Sequence, residues 1–323
     1  MKHIPVRVLA LTLALMLALG AALADSADSQ RVEEALQEEE KDLSIYYEEK
    51  VTIDSDELAA AEGLDGGWRN ILLAGSDTRV AGNYGRTDAM VILSLNAMKK
   101  QVKLTSIMRD IWTPMHGRGP QKICAANVFG GPALAMRTVN ENFGMNITDY
   151  VLVDMGGIES VIDLLGGLEL DITEQEMWGL NASYNRDATA LIEPVTGWGE
   201  GVHLTGEQAL AYARLRSIDN DYQRTGRQRA VLVAIARKAL TAGSAELLGL
   251  IRECMTYVET DLSMTDVIQL AMLAAQVDLD NIEQLRIPAE GAYTTGYEGK
   301  LWVMWPDFAV NTKLLHDFIY GEN

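Results

Sequence analysis

Residues 204–228 read LTGEQALAYARLRSIDNDYQRTGRQ, and this stretch joins a capped helix to a dense group of arginines. Thr205 followed three residues later by Gln208 is a capping box, because each side chain can bond to the backbone N–H of the other residue. Apolar helical surface is then supplied by Ala209, Leu210, Tyr212 and Ala213. The stretch therefore predicts a helix that begins just after Thr205.

Arginines dominate the second half of this stretch. Each keeps its charge at any working pH and offers a planar fork that fits phosphate. A second helix is predicted to begin at Thr225, where exposed N–H groups would add to an anion site. Spacings of three and four residues place Arg224, Arg227 and Gln228 on one face of it. Taken alone, a cluster formed by Arg214, Arg216, Arg224 and Arg227 is more typical of a surface paired with Asp219 and Asp221.

The charge balance argues against general nucleic-acid binding. The 323 residues contain 27 Lys and Arg against 46 Asp and Glu, a net charge of −19. A nucleic-acid-binding protein needs a basic footprint instead. Much of the excess lies in residues 25–65, which hold fifteen acids and three basic residues. We interpret residues 25–67 as an acidic spacer and residues 68–323 as one domain.

The N-terminus is typical of an export signal. Lys2 and Arg7 precede an apolar run from Val8 to Ala24, which spans about 25 Å as a helix against a membrane core of about 30 Å. Ala22-Leu23-Ala24 matches a cleavage site. Residues 1–24 are therefore either a cleaved signal peptide or a retained membrane anchor. In both cases the remainder lies outside the cytoplasm, because the positive charges precede the apolar run.

Cys124 and Cys254 are the two cysteines of the chain. They form either one disulfide or two buried thiols, and their spacing does not decide between these alternatives. The four histidines are scattered and no cysteine pair is present, so the sequence carries no zinc signature.

Short apolar segments alternate with helical patterns along the chain. Strands are predicted at 70–75, 89–95, 102–108, 150–154, 168–172 and 281–287, and the second and third form a hairpin. Helices are predicted at 131–143, 157–165, 229–240, 245–257, 264–275 and from 306 onwards. Residues 113–120 are predicted as a loop, and 173–201 as an irregular segment over the site. Contact with a ligand is one role for Trp178, Tyr184 and Trp198, and filling of the core or surface is the more typical one. The alternation predicts a layered α/β domain with the sheet in the middle.

Three further groups join the arginines as candidates for a site. Asp77 and Asp88 each lie in a polar loop beside an apolar strand, and paired carboxylates suit Mg²⁺ when phosphate oxygens are near. Arg109 and Asp110 follow a strand, where α/β sheets place their ligands. Lys122 is a point charge for a phosphate. Each has a simpler alternative, since aspartate is common in turns and lysine in solvated loops.

Several of these segments together resemble one protein family. GSDTR, GRTDAMVILSLN, IMRD, KICAANVFGG and the arginine-bearing stretch follow in the order and spacing of the LytR–CpsA–Psr family. The resemblance covers residues 70–240 and is looser towards Asn323. Members of this family often carry Asn where this chain has Cys124. The resemblance implies a layered α-β-α single domain with a central mixed sheet.

The resemblance also implies an activity. Members of the family are extracytoplasmic, usually membrane-anchored phosphotransferases. They move an anionic glycan polymer, such as teichoic acid or capsular polysaccharide, from a polyprenyl-diphosphate carrier to peptidoglycan. We therefore expect a polyprenyl-diphosphate-linked glycan and peptidoglycan as partners, contact with the membrane through the N-terminal segment or the lipid substrate, and no nucleic acid. Alternatives are a diphosphatase that uses water, and a non-catalytic lipid-carrier or wall-glycan binding protein.

Matched residue by residue, the resemblance implies roles at eleven positions. Asp77 and Asp88 would bind Mg²⁺. Diphosphate binding falls to Arg86, Lys122, Arg224, Arg227 and Gln228, and catalytic roles to Arg109, Asp110, Arg214 and Arg216. Positioned cations would answer the charge that builds on the leaving phosphate. Asp110 is the first candidate for the general base and Asp88 the second, because a carboxylate must lie within reach of the attacking hydroxyl.

Overall fold

The computed structural model describes residues 50–64, 66–77, 84–184, 193–215, 218, 221–239, 251–274, 276–277 and 282–321. The predicted signal or anchor, most of the acidic spacer, and Arg216 lie outside the described residues. Within the described ranges, every helix is too short or too polar to cross a bilayer.

Twelve strands are present in the described ranges: β1 (Trp68–Ser76), β2 (Thr87–Asn96), β3 (Gln101–Ile107), β4 (Trp112–Met115), β5 (Arg118–Lys122), β6 (Asp149–Asp154), β7 (Leu168–Ile172), β8 (Gly199–Leu204), β9 (Val258–Thr260), β10 (Glu283–Ile287), β11 (Tyr293–Glu298) and β12 (Leu301–Pro306). The longer helices are α1 (Ala126–Phe143), α2 (Met155–Leu164), α3 (Glu174–Tyr184), α4 (Gly206–Arg214), α5 (Asp221–Ala239), α6 (Met264–Ala274) and α7 (Phe308–Tyr320).

The main sheet is mixed. Its six strands follow the order β10-β3-β2-β1-β6-β9. β1 pairs antiparallel with β2 and parallel with β6, while β3 pairs antiparallel with β2 and parallel with β10. The predicted hairpin of β2 and β3 is confirmed. β1, β3, β6 and β10 therefore end at one edge of the sheet, and β2 begins there. We call this the carboxyl edge.

Both faces of the sheet are covered. Successive residues of β1 point to opposite faces, so Ile71 and Leu73 join one buried cluster while Leu72 joins another. Helices α2, α4, α5 and α6 supply apolar residues to the first cluster, and α1 and α7 supply them to the second. Burial on both faces explains why the strands are continuous apolar runs. The predicted layered domain with a central mixed sheet is confirmed.

The predictions of irregular structure for two segments were wrong. Residues 113–120 carry the β4–β5 hairpin, and residues 173–201 include α3 and the start of β8. The sequence held a signal for α3, because Thr173 and Glu176 form a capping box: the Thr173 Oγ1 accepts from Glu176 N at 3.2 Å and Glu176 Oε2 accepts from Thr173 N at 2.9 Å. Trp178 and Trp198 are exposed, and the side chain of Tyr184 lies outside the description.

The helix that carries the second arginine group begins earlier than predicted. α5 starts at Asp221 rather than at Thr225. By contrast, α4 has the predicted start: the hydroxyl of Thr205 accepts from Gln208 N, and the side chain of Gln208 accepts from Thr205 N. Arg224 therefore lies inside α5, and the predicted anion site at an N-terminus beginning with Thr225 is wrong.

The chain before β1 packs onto the domain. Val51 N donates to Phe129 O at 2.8 Å, and Ala61 N donates to Met145 O at 2.9 Å. Leu58 is buried in the same cluster as α1. Residues 50–64 belong to the acidic stretch by composition, yet they are part of the folded body.

We expect truncation of a buried side chain on the central strand β1 to destabilise the protein. Leu72→Ala removes a side chain that is 0% exposed, and it should lower the free energy of unfolding by about 2–5 kcal/mol. Met98→Ala, at a side chain that is 83% exposed in the β2–β3 turn, is the matched control and should change it by about 0.5 kcal/mol or less. Equilibrium unfolding in urea measures both, and equal losses would contradict the assignment of Leu72 to the core.

Candidate active site

The first acid of the predicted site closes a loop. Asp77 follows β1 directly, and its Oδ1 accepts from the backbone N of Arg86 at 2.6 Å. Its own N–H donates to Arg86 O at 3.0 Å. Ser76 Oγ accepts from Gly85 N at 3.1 Å, which ties the same loop once more. Asp77 is thus buried at the carboxyl edge, and part of its hydrogen-bonding capacity holds the backbone of Arg86.

The second acid lies on a bulge. Gly75 pairs with Ala89 and Ser76 with Thr87, so Asp88 is one extra residue on β2. A bulge redirects the side chain of the extra residue and is common beside active sites. Asp88 Oδ2 accepts from Arg109 Nη1 at 2.5 Å. The bulge therefore accounts for an acid at the start of β2 that contacts the residue after β3.

Alternating charges continue from this pair across the edge. Arg109 Nε lies 3.5 Å from Asp110 Oδ2, and Asp110 Oδ1 lies 2.6 Å from Lys122 Nζ. Exposed fractions of the four side chains range from 7% for Asp110 to 23% for Lys122. We call Asp88, Arg109, Asp110 and Lys122 the charge chain. Each cation in the charge chain contacts an acid and is still partly exposed to solvent.

A buried thiol lies among these charges. Burial, then the charge of Asp88, raises the pKa of Cys124 to about 12. Arg86, Arg109 and Asp110 also act on it, so the structure brings these residues together around one point. At neutral pH the side chain is a neutral thiol. The backbone here is also fixed, since Cys124 N donates to Arg109 O at 3.4 Å.

The predicted residues of α5 are buried. Arg224 is 1% exposed, and Arg227 and Gln228 are each 4% exposed. Within the described part of the chain, Gln228 Nε2 is buried without a hydrogen-bond acceptor. A buried donor without an acceptor is costly, which is expected where a ligand supplies the acceptor.

Arg227 has strong contacts within the protein. It donates to Leu215 O at 2.5 Å, lies 3.4 Å from Glu176 Oε1, and faces the ring of Tyr212 at 6.0 Å. These contacts join α3, the end of α4 and α5. The described ion pair of Arg227 is with Glu176, which is not one of the acids of the surface alternative, and Arg227 is buried. Contact of Arg227 with a diphosphate stays a prediction.

Strand β3 connects the two groups of residues. Arg109 of the charge chain follows the last residue of β3 by two positions, and Arg229 on α5 donates to Ser106 Oγ at 2.8 Å. Because Ser106 is the penultimate residue of β3, this bond places the middle of α5 near the carboxyl edge. Arg214 is the last residue of α4 and is half-buried.

Some residues of this region were missed in the sequence. Asn127 is fully buried and donates to Gly85 O at 2.7 Å, which ties α1 to the loop after Asp77. Thr87 is also buried and donates to Cys124 O at 3.4 Å. Both residues occur inside the quoted motifs, but nothing in their spacing distinguishes a buried support from a surface residue.

The described residues contain no cluster of three or more metal-binding side chains. The predicted magnesium site has two carboxylates, Asp77 and Asp88, on neighbouring strands. Because Asp77 exchanges backbone contacts with Arg86, and Asp88 lies on the bulge two residues further along, the two acids lie at the same end of the β1–β2 pair.

The family profile named LytR_cpsA_psr matches residues 24–305. The chain belongs to the LytR–CpsA–Psr family. A relative from Halalkalibacterium halodurans, named polyisoprenyl-teichoic acid–peptidoglycan teichoic acid transferase TagU, is 31% identical over 226 residues, which cover 69% of this chain and 70% of the relative. Its namesake from Oceanobacillus iheyensis is 33% identical over 236 residues, covering 70% and 69%.

Solved structures of LytR–CpsA–Psr proteins share the fold. TagV of Bacillus subtilis superposes with a TM-score of 0.63 at 26% identity, covering 79% of this chain and 96% of TagV. TagT bound to LIIa-WTA superposes with a TM-score of 0.64 at 23% identity, covering 83% and 97%. The second likeness shows the fold alone. The resemblance inferred from the motifs is thereby confirmed at the level of the family.

Neither cysteine is in a disulfide, since both are buried free thiols. The second of the two alternatives left open by the sequence is therefore correct. Burial raises the pKa of Cys254 to about 12 as well. Both thiols are consequently protonated at pH 8, where the reactive thiolate is scarce.

We expect these thiols to resist modification in the native protein. At pH 8, a disulfide reagent such as Ellman's reagent should react with them at least about a hundredfold more slowly than with a free thiol, because burial and the raised pKa act together. Unfolding in guanidinium should release both. Met98→Cys adds an exposed thiol as a control that reacts quickly. Rapid reaction of two thiols in the native wild type would contradict the burial.

Proposed function

We propose that this chain is an extracytoplasmic phosphotransferase that moves an anionic glycan polymer from a polyprenyl-diphosphate carrier to peptidoglycan. The observation that carries the proposal is the charge chain at the carboxyl edge. It presents Arg109 and Lys122, each oriented by an acid, close to Arg86. The named activity of the TagU relatives, which this chain matches over about two thirds of its length, supports the same reaction.

The proposed transfer is a direct displacement at phosphorus, and the protein would stabilise it mainly with positioned cations. A sugar hydroxyl of the acceptor attacks the phosphorus next to the donor glycan, the bond from that phosphorus to the bridging oxygen breaks, and polyprenyl phosphate leaves. Negative charge grows on the leaving phosphate, and preorganised cations stabilise it. Arg109 and Lys122 are held by acids before substrate arrives, so little reorganisation is required. Arg224 and the buried amide of Gln228 would bind the diphosphate from the side of α5.

The proton of the attacking hydroxyl needs an acceptor. Asp110 and Asp88 are the candidates, and both acids already bind Arg109. Asp110 has cations at both oxygens, at 2.6 Å and 3.5 Å. We keep Asp110 as the proposed base, with the corollary that Lys122 or Arg109 shifts towards phosphate when the hydroxyl arrives. Asp88, whose closest cation contacts Oδ2, is the second candidate.

The residues at the edge fit a magnesium ion. Asp77 and Asp88 are carboxylates on neighbouring strands at one edge, and Mg²⁺ is commonly held by one or two carboxylates together with phosphate oxygens and water. When bound, the ion would supply charge neutralisation at the diphosphate. Asp77 would offer it the carboxylate whose Oδ1 also holds the loop of Arg86.

Loss of an arginine should weaken transfer without unfolding the protein. Arg214→Ala and Arg216→Ala should each lower kcat/KM roughly 30- to 160-fold, because loss of a charge-assisted contact removes about 2–3 kcal/mol of transition-state stabilisation. Arg237→Ala removes an exposed arginine from α5 and is the matched control. Transfer of radiolabelled glycan to peptidoglycan measures the effect. Normal transfer and normal lipid-diphosphate affinity in both variants would refute these roles.

The Mg²⁺ concentration that transfer requires should depend on Asp77 and Asp88. We expect chelator to abolish transfer by the wild type and added Mg²⁺ to restore it. Asp77→Asn and Asp88→Asn keep the shape of the side chains but remove charge, so both should require at least about tenfold more Mg²⁺. Asp56→Asn, at an exposed acid, should titrate as the wild type does. Full wild-type activity in chelator would remove the metal from the proposal.

The same assay separates the two alternative functions. Release of polyprenyl phosphate with no glycan on the wall, even when acceptor is supplied, would identify a diphosphatase. Tight binding of the lipid-linked donor without turnover, unaffected by Asp77→Asn or Asp88→Asn, would identify a binding protein. Only a covalent glycan–peptidoglycan product supports the proposed transferase.

A further inference from the structure

A second pair of arginines lies beside the charge chain. Arg229 on α5 donates from Nη1 to Ser106 Oγ at 2.8 Å and from Nε to Gln284 Oε1. Arg286 stands directly opposite Ser106 in the pairing of β10 with β3. Gln284 and Arg286 are two residues apart on β10 and therefore share one face. Arg229 thus contacts the face of β10 that carries Gln284 and Arg286.

The environment of Arg229 is unfavourable for a cation. Both of its hydrogen-bond acceptors are neutral side chains. Burial, and then the nearby charge of Arg286, lower the pKa of Arg229 below its ordinary value. The acid on the same strand, Glu283, points to the other face and lies 3.5 Å from Lys103. An anion bound beside Arg229 would supply the negative charge that these two neutral acceptors lack.

The position of the patch relates it to the site already described. Ser106 is the penultimate residue of β3, and Arg109 follows the end of that strand by two positions. Arg229 follows Gln228 on α5. Gln284 is exposed, so solvent reaches the patch. The patch is therefore next to the charge chain on the β10 side, yet its side chains are distinct from those predicted to bind the diphosphate.

We propose that Arg229 and Arg286, together with Ser106 and Gln284, form a second anion subsite that takes a phosphate group of the donor glycan polymer. This assignment rests on the proposed function for the identity of the ligand. Guanidinium groups match phosphate in shape and charge, and the serine hydroxyl and glutamine amide complete the donors. A polymer with phosphate in its repeating unit would then be held at two points, the diphosphate and a phosphate further along the chain.

A pair of donors tests the subsite. Both carry polyprenyl diphosphate and a glycan of the same length, but one has phosphate groups in the glycan and the other has none. Arg229→Gln should raise KM at least about tenfold for the phosphate-bearing donor, with kcat unchanged, and should leave KM for the other donor unchanged. Arg286→Gln should do the same. Equal effects on both donors, or none on either, would overturn the proposal.

Calorimetric titration with inorganic phosphate tests the subsite without turnover. The full-length wild type should bind phosphate at one more site than Arg229→Gln or Arg286→Gln, and the control Arg237→Gln should match the wild type. If the wild type fails to transfer glycan at all, the proposed function fails, while the titration still decides the subsite. Identical phosphate binding by all four proteins would overturn it.

Thermal unfolding excludes a purely structural role. Without phosphate, Arg229→Gln should lower the melting temperature, because the hydrogen bonds of Arg229 to Ser106 and Gln284 are lost. Phosphate should then raise the melting temperature of the wild type more than that of either variant. A lower melting temperature in both variants together with an unchanged response to phosphate would show that the arginines serve only the fold. Should Arg229→Gln fail to fold, Arg286→Gln carries the same test.

Discussion

Burial of the central strand on both faces is the constraint that shapes this protein. Leu72 and Leu73 point into separate apolar clusters, so the middle of β1 is apolar on both faces. The acids and cations of the candidate site lie beyond this apolar middle, where the strands end or begin. The mixed order of the sheet brings the ends of β1, β3 and β10 and the start of β2 to a single edge. All the acids and cations of the charge chain lie there or in the segment that follows.

Acidic and basic side chains alternate along the charge chain at this edge. Arg109 lies between Asp88 and Asp110, and Asp110 also holds Lys122. Buried cations need such partners, since a charge removed from water without one is strongly destabilising. The acids therefore have a structural task as well as any chemical one. The pair Arg229 and Arg286 contrasts with this arrangement, because the hydrogen bonds of Arg229 go to neutral groups, and that contrast marks the neighbouring patch for an anion.

Helix α5 joins the two halves of the site. Arg227 fastens it to Glu176 on α3 and to the carbonyl of Leu215 after α4, while Arg229 fastens it to β3. Gln228 lies between these anchors and Arg224 lies one turn before them, and their exposed fractions are 4% and 1%. A helix held at two points keeps such side chains in place, which suits a site that acts by positioning. Residues close together in the sequence thus differ in role: Arg227 has structural contacts, while Arg224 and Gln228 are the residues proposed to bind the diphosphate.

The sequence by itself determined the layered α/β class, the capped start of α4, the hairpin of β2 and β3 and the family, because these depend on local periodicity and short motifs. It also identified Asp88, Arg109, Asp110 and Lys122 as candidates. Only the tertiary structure decided that Cys124 and Cys254 are separate buried thiols, that α5 begins at Asp221, and that Arg229 meets Ser106 and Arg286. Those outcomes depend on contacts between segments far apart in the chain, where burial and strand register, rather than local spacing, select the neighbours.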